Sequence, residues 1–194
     1  MGKHALGTVS RCAVFLDRDG VINQAVVRNG KPFPPERLED FILLPGVVKG
    51  CERLKAAGYA LVVATNQPDV GRGAQSRDLI EAMHQRMCRW LPIDRVEACY
   101  DPGRGVPSAF RKPAAGMLLA AAEVLEIDLR RSWMIGDRWR DIECGKAGGC
   151  RTVFIDYGYD EQLVSPPDFT VADFTAAVKV ILKARQAPSV GIEL

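Results

Sequence analysis

Two aspartates with the spacing of a paired-carboxylate site, Asp17 and Asp19, directly follow the apolar run AVFL at 13–16. Such a run is typical of a buried strand, and two carboxylates crowded at its end carry a large electrostatic cost. A divalent cation and a lysine would neutralise the cluster, and a phosphate could then sit among them. Asp17 and Asp19 are therefore candidates for nucleophilic, acid–base or metal-binding chemistry.

Six more residues whose side chains could take part in catalysis or binding lie at or after the ends of the other predicted strands. Ligands of open α/β sheets bind at the carboxyl ends of the strands, so we expect all of these side chains to converge at one edge. Carboxylates, a hydroxyl and a lysine around a divalent cation suit the handling of a phosphate. The six residues are Thr65, Asn66, Arg111, Lys112, Asp137 and Asp141.

The elements that would position these residues alternate along the chain. Apolar runs predict strands at 12–17, 60–65, about 95–100, 132–136 and 151–155. Helical periodicity predicts helices at 46–57, 76–90 (with Ser76 as a possible N-cap), 114–126, 138–148 and 173–185. The alternation indicates βαβ units and an α/β fold around a mainly parallel sheet. Residues 24–45 and 101–113 are expected to be long irregular loops, and the C-terminal tail to be frayed.

Composition restricts the class of protein. The chain has 194 residues, 47% apolar and 26% charged, with a formal net charge of +2, which suits one globular domain without a nucleic-acid partner. Six scattered cysteines, no secretory signal and no apolar run of about 18 residues predict reduced thiols, a cytoplasmic location and no membrane contact. We expect a monomer or a weak homodimer.

Three other features of the sequence do not indicate a functional site. An EF-hand loop starting at Asp17 would need Glu where Arg28 stands, and it would follow a helix rather than a strand. The stretch GRGAQS at 71–76 lacks the third glycine of a dinucleotide-binding loop. His84 falls within a helical pattern and is interpreted as structural.

Taken together, four motifs resemble those of the haloacid dehalogenase-like (HAD) hydrolase superfamily: LDRDG at 16–20, TNQ at 65–67, RKP at 111–113 and GDRWRD at 136–141. Within it, residues 12–185 are similar to the heptose bisphosphate phosphatases and their histidinol-phosphate phosphatase relatives. The resemblance implies a single domain over 1–194 with a Rossmann-like three-layer αβα sandwich. The short intervals between motifs leave no room for a large cap domain.

The resemblance also implies a role for each residue. Asp17 would be the nucleophile that forms an aspartyl-phosphate, and Asp19 the general acid and base. Lys112 would supply positive charge to Asp17 and the phosphate. Thr65 would hold phosphoryl oxygens.

By the same resemblance, Asn66, Arg111 and Lys112 would contact substrate. Mg²⁺ would be bound by Asp17, Asp137 and the backbone carbonyl of Asp19. Asp141 would support Lys112 or the metal from behind.

One departure from the family concerns the loop before RKP. Relatives usually carry a zinc loop of C-x-H type followed by C-x-C. Here Cys99 remains, but Asp101 replaces the histidine, and Ser108 and Phe110 replace two cysteines. A structural zinc needs about four ligands, so none is expected. Val106 and Phe110 are expected to bury apolar surface instead.

The sequence thus predicts a Mg²⁺-dependent phosphatase of a small phosphorylated metabolite. The leading substrate is a sugar phosphate such as D-glycero-D-manno-heptose 1,7-bisphosphate. Two alternatives stay open: a histidinol-phosphate phosphatase, and a non-catalytic binding module on a phosphatase scaffold.

Overall fold

The structure is a computed structural model that describes residues 10–105 and 108–186. Six strands form one parallel sheet: β1 (Ala13–Leu16), β4 (Ala60–Asn66), β5 (Arg95–Cys99), β6 (Trp133–Gly136), β7 (Arg151–Ile155) and β8 (Phe169–Val171). The helices are α1 (Val47–Ala56), α2 (Pro68–Gly71), α3 (Arg77–Trp90), α4 (Gly116–Leu125), α5 (Trp139–Ala147) and α6 (Phe174–Gln186). The predicted frayed tail and Val106 lie outside the described residues, apart from Gln186, which ends α6.

The strand order in the sheet is β5-β4-β1-β6-β7-β8, and every neighbouring pair is parallel. Strand β1 is central, with β4 on one side and β6 on the other. The connection from β1 leads to β4 on one side, and the later connection from β5 leads to β6 on the other side. The strand order therefore reverses at β1, and α/β sheets bind ligands at such a switch point.

Helices cover both faces of the sheet and make three layers. Helices α1, α3 and α6 pack on one face, and α4 and α5 on the other. Strand β1 is buried throughout, because Ala13 and Phe15 point to one layer while Val14 and Leu16 point to the other. This confirms the predicted α/β sandwich. No helix in the described part of the chain is long and apolar enough to cross a bilayer.

Helix boundaries follow local signals. Ser76 caps α3 by accepting a hydrogen bond from the backbone N–H of Leu79 at 3.2 Å, as predicted. Helix α1 buries a stripe of Val47, Cys51 and Leu54 against the sheet, which is the i, i+4, i+7 pattern that predicted it.

One expectation about the irregular regions was wrong, and one strand was not predicted. Residues 24–45 contain an antiparallel hairpin, β2 (Val26–Arg28) and β3 (Lys31–Phe33), which is joined at Asn29 and Gly30, both with positive φ. The two-residue turn requires that conformation and selects Asn-Gly for it. Strand β8 was not predicted, since an edge strand of three residues leaves little pattern in the sequence.

Candidate active site

The side chains predicted to converge lie at the carboxyl edge of the sheet. Asp17 follows β1, and its backbone N–H donates to Ile135 of β6 at 3.0 Å. Thr65 and Asn66 end β4, and Asp137 follows β6. The sheet therefore brings Asp17 and Asp137 together, although they are 120 positions apart in the sequence.

A cleft of about 300 Å³ opens at this edge. The hairpin covers one side of it with the segment 32–34, Pro-Phe-Pro. Thr65 and Asp137 do not line the cleft; both are buried beside it. The predicted residues that do line it are Asp17, Asp19, Asn66, Arg111, Lys112 and Asp141.

Lys112 is the central cation of the site and is buried. Its Nζ lies 2.7 Å from Oδ1 of Asp17, 2.6 Å from Oδ1 of Asp141 and 2.7 Å from the carbonyl oxygen of Ala64. Burial alone would lower the pKa of Lys112, but the two carboxylates outweigh it and raise the pKa above its ordinary value. Lys112 is therefore a permanently charged partner of Asp17.

Asn66 fixes the backbone that presents Lys112. Its Oδ1 accepts from the N–H of Lys112 at 3.0 Å, and its Nδ2 donates to the carbonyl of Lys112 at 3.1 Å. Both ends of the amide are thus engaged with the chain itself. The role of Asn66 as a substrate ligand stays a prediction, and the contacts in the structure are those of a residue that positions Lys112.

Asp141 lies in the first turn of α5. One of its oxygens pairs with Lys112, and the other accepts from the backbone N–H of Arg138 at 3.0 Å. It fits there because residue 136 is glycine: a Cβ at Gly136 would lie 2.0 Å from the Cβ of Asp141. Asp141 thus ties Lys112 to the start of α5, where the helix dipole also favours a carboxylate.

Three carboxylates, those of Asp17, Asp137 and Asp141, approach one another with oxygens within 4.8 Å. Burial, and then the neighbouring carboxylates, raise the pKa of Asp137 well above its ordinary value. Burial also raises the pKa of Asp17, to about 6, although Lys112 opposes the shift. One lysine does not neutralise three acids, so the cluster has unbalanced negative charge.

Asp137 has no hydrogen-bond donor within the described residues, although both of its oxygens are buried. Burial raises the pKa of the Tyr159 hydroxyl, and the negative charge of the Asp137 carboxylate raises it further. That hydroxyl does not reach hydrogen-bond geometry with Asp137. Gly20 closes the other side: a Cβ there would lie 1.9 Å from Oδ2 of Asp137. A buried carboxyl group without donors keeps its proton unless a cation lies beside it, so Asp137 is suited to bind a cation.

The donor set fits Mg²⁺. The available ligand atoms are carboxylate oxygens, which hard divalent cations prefer, and the open cleft beside them leaves room for water or phosphate. Asp141 is already engaged with Lys112 and Arg138. Asp17 and Asp137 are therefore the side chains best suited to hold the ion.

Asp19 has a different environment. Its carboxylate accepts from the guanidinium of Arg18 at 2.9 to 3.2 Å, from Nδ2 of Asn23 at 3.0 Å and from Nε2 of Gln67 at 2.8 Å. Three side chains therefore hold it in one orientation at the edge of the cleft. None of the three was assigned a role from the sequence, although Arg18 stands between the two aspartates and Gln67 ends the TNQ motif.

The hydroxyl of Thr65 accepts a hydrogen bond from Nε2 of Gln67 at 2.9 Å, which leaves its own O–H proton free to donate. Gln67 therefore bridges Thr65 and Asp19. The phosphoryl-binding role of Thr65 stays a prediction.

Arginines dominate the mouth of the cleft. Arg72 pairs with Asp69, Arg138 pairs with Glu161, and Arg111 donates to the carbonyl of Asp101 at 2.9 Å. In the described residues no carboxylate pairs with Arg140, which lies over its neighbouring tryptophan ring. Only Arg111 was given a role from the sequence, although Arg138 and Arg140 also lie in a motif, GDRWRD at 136–141.

The loop before the RKP motif, where no zinc site is expected, has a local structure of its own. Cys99 is buried at the end of β5, and the Asp101 side chain accepts from the backbone N–H of Gly103 at 2.7 Å. The expectation that Phe110 buries apolar surface was wrong, because it is 46% exposed. The backbone of this segment forms a turn, in which the N–H of Arg111 donates a hydrogen bond to the carbonyl of Ser108. The Phe110 side chain at this turn faces the solvent.

Comparison with known proteins agrees with this geometry. Residues 109–177 match the family described as HAD-hydrolase-like. A D-glycero-D-manno-heptose-1,7-bisphosphate 7-phosphatase from Thermosynechococcus vestitus is 37% identical over 193 residues, covering 88% of this chain and 95% of the relative. A D-glycero-beta-D-manno-heptose-1,7-bisphosphate 7-phosphatase from Escherichia coli K12 is 36% identical, covering 91% and 96%. This chain belongs to the HAD-like hydrolases.

Solved structures of the same superfamily have the same fold. A crystal structure of D,D-heptose 1,7-bisphosphate phosphatase from B. bronchiseptica, complexed with magnesium and phosphate, gives a TM-score of 0.72 at 25% identity and covers 89% of this chain and 99% of its own. The Burkholderia thailandensis enzyme gives a TM-score of 0.60 at 29% identity, covering 89% and 99%. The predicted superfamily and fold class are confirmed.

Proposed function

We propose that this HAD-like hydrolase is a Mg²⁺-dependent phosphatase that cleaves a phosphate monoester of a small sugar phosphate through an aspartyl-phosphate on Asp17. The observation that supports this most is the Asp17–Lys112 pair at 2.7 Å, at the base of a cleft and beside two further carboxylates. Within the described residues, only one of the two carboxylate oxygens of Asp17, Oδ1, accepts a side-chain hydrogen bond, from Lys112. Its other oxygen is available for attack on phosphorus.

The first step forms a bond between Asp17 and phosphorus and breaks the bond from phosphorus to the substrate oxygen. Asp19 donates a proton to that oxygen, so the sugar leaves as an alcohol. In the second step Asp19 takes a proton from water as the water oxygen attacks phosphorus. Inorganic phosphate is released and the Asp17 carboxylate is restored.

Positive charge comes from the chain and from the ion. Lys112 is held by Asp141 and Asn66 so that its ammonium faces both Asp17 and the place of the phosphate. Mg²⁺, held by Asp17, Asp137 and the carbonyl of Asp19, would neutralise charge on the phosphoryl oxygens. Thr65 would add a hydroxyl donor.

The arginine-rich mouth favours a substrate with a second anionic group. Relatives that cover most of this chain are named heptose-1,7-bisphosphate 7-phosphatases, and a bisphosphate would place its second phosphate near Arg111 and Arg140. Histidinol phosphate instead carries an amine and an imidazole, which these guanidinium groups would repel. We therefore favour D-glycero-D-manno-heptose 1,7-bisphosphate as the substrate. The six cysteines of the chain are free, which favours a cytoplasmic location.

The test is phosphate release from a substrate panel at saturating Mg²⁺. Heptose 1,7-bisphosphate should give the highest kcat/KM, above histidinol phosphate and p-nitrophenyl phosphate, and chelation of Mg²⁺ should abolish turnover of all three. Asp17→Asn serves as the inactive control. A preference for histidinol phosphate would replace the substrate assignment, and no release from any monoester would indicate a binding module instead.

We also propose that the chain binds no structural zinc. Cys99 is one thiol in a loop where Asp101 is already bonded to the backbone of Gly103. A structural site needs about four ligands of this kind. Elemental analysis of protein purified without chelator should find well below one zinc per chain, and one zinc per chain lost in Cys99→Ser would contradict this.

A further inference from the structure

A polar side-chain network lies behind Asp19, away from the cleft. Arg18 is 0% exposed, an extreme rarity for an arginine, and its guanidinium lies 5.9 Å from the centre of the Phe41 ring. One side of the guanidinium binds Asp19, while Nη1 lies 3.2 Å from Nε2 of His84. The fork therefore connects the cleft to helix α3.

The network continues along one face of α3 to the surface. Nδ1 of His84 lies 3.6 Å from Oε2 of Glu81, and the hydroxyl of Tyr100 donates to Oε1 of Glu81 at 2.6 Å. Arg77 stacks over the Tyr100 ring at 4.9 Å. Positions 77, 81 and 84 share a helix face. Each member of this chain of contacts restrains the next.

The chemistry of the donors fixes the tautomer of His84. An arginine offers only donors, so Nε2 must present its lone pair to Arg18, and the ring proton lies on Nδ1, towards Glu81. Burial, and then Arg18, lower the pKa of His84 to about 4, while Glu81 opposes the shift. The ring is thus a neutral acceptor at neutral pH.

We propose that His84 is a positioning residue for the reaction: by accepting a hydrogen bond from Arg18, it holds the guanidinium fork in the orientation that fixes the Asp19 carboxylate. This inference rests on the proposed function, because it assumes that Asp19 transfers protons. Without an acceptor at position 84, a buried N–H of Arg18 loses its partner. The fork then turns towards another acceptor, and Asp19 moves with it.

A residue that only fills the core would behave differently. Its loss would lower the amount or stability of folded protein and would reduce turnover of all substrates alike. Loss of proton donation is selective, since an alkoxide leaving group needs a proton and p-nitrophenolate does not. The value of kcat/KM reports the transfer of the phosphoryl group to Asp17 and the departure of the leaving group. Hydrolysis of the aspartyl-phosphate comes afterwards and is the same for both substrates.

The experiment compares kcat/KM for heptose 1,7-bisphosphate and p-nitrophenyl phosphate in wild type, His84→Leu and His84→Gln. We expect His84→Leu to lose about tenfold to a hundredfold on the sugar phosphate, since small displacements of catalytic groups cost that much, with a much smaller loss on the aryl phosphate. His84→Gln presents an amide oxygen to Arg18 and should restore both values. Arg18→Lys, which keeps the charge but loses the fork, is a second variant and should show the same selective loss.

The outcomes separate the inference from the proposed function. A wild-type enzyme that hydrolyses both esters, together with equal losses on the two esters in the folded variants, would overturn the positioning role of His84 and leave the phosphatase assignment intact. A wild-type protein that hydrolyses neither ester would overturn the assignment itself. Melting temperatures measured for each variant identify those that are folded.

Discussion

Asp19 and Asp137 are carboxylates at the same edge of the sheet with opposite surroundings. Asp19 is 15% exposed at its side chain and accepts hydrogen bonds from Arg18, Asn23 and Gln67. Asp137 is 1% exposed and receives none within the described residues. The more deeply buried acid is thus the one with fewer partners, which reverses the usual rule for buried charge.

The difference indicates how the two acids are used. Asp19 is compensated by the protein itself, so its position is fixed whether or not a ligand is present. Asp137 receives no hydrogen bond from the described residues, because Gly20 and the start of α5 enclose it without offering a donor, and we expect a bound cation to compensate its charge. Asp17 lies between them, since it is paired with Lys112 and also faces Asp137.

The largest expected effect is that of Asp17→Asn. The amide has the shape of the carboxylate but is no nucleophile, so phosphate release should fall to background. The fold should persist, because Lys112 keeps Asp141 and the carbonyl of Ala64. Circular dichroism and phosphate release on the same sample check both points. Near wild-type turnover would exclude the covalent route.

Asp19→Asn should have the next largest effect. Loss of the proton donor and acceptor should lower kcat by about 10²–10⁴-fold. Because Arg18 also loses its carboxylate while buried, the free energy of unfolding should fall by about 1–3 kcal/mol. Urea denaturation and steady-state kinetics measure the two effects. A stable variant with full activity would mean that the compensation of Asp19 serves no catalytic purpose.

The smallest expected effect concerns pH and the network behind Asp19. The folded-state pKa of His84 is about 4, below the ordinary 6.5. The unfolded chain therefore binds more protons between pH 6.5 and 4, and stability falls as pH falls through that window. The contribution is at most a few kcal/mol. Relative to wild type, His84→Gln should lose less stability between pH 7 and pH 4.5; parallel curves would contradict a neutral buried ring.

Much of this architecture could be predicted from local patterns. The buried run of β1 and the apolar stripes of the helices indicated elements whose observed ends differ by one or two residues. The hairpin was missed although Asn29-Gly30 is a strong turn signal, because its strands have three residues each and one contains Pro32. Strand β8 was not predicted because its three residues are too few to show a strand pattern.

The site was predictable only where motifs carry its residues. Asp17 and Asp137 directly follow strands, and Lys112 lies in the RKP motif between β5 and α4, so their convergence followed from a parallel sheet. The contact of Arg18 with His84 joins residues 66 positions apart. It depends on how α3 packs against the sheet, which no local pattern specifies. His84 was correctly placed in a helix, but its partner was invisible to the sequence.

The most direct test of this contrast is Mg²⁺ binding measured by titration calorimetry without substrate. Wild type should bind about one ion per chain, and Asp19→Asn should bind it with similar affinity, because the backbone carbonyl of residue 19 remains. Asp137→Asn should lose most of the binding, since the buried carboxylate that has no other partner is gone. Equal affinity of Asp137→Asn and wild type, or selective loss in Asp19→Asn, would contradict the account.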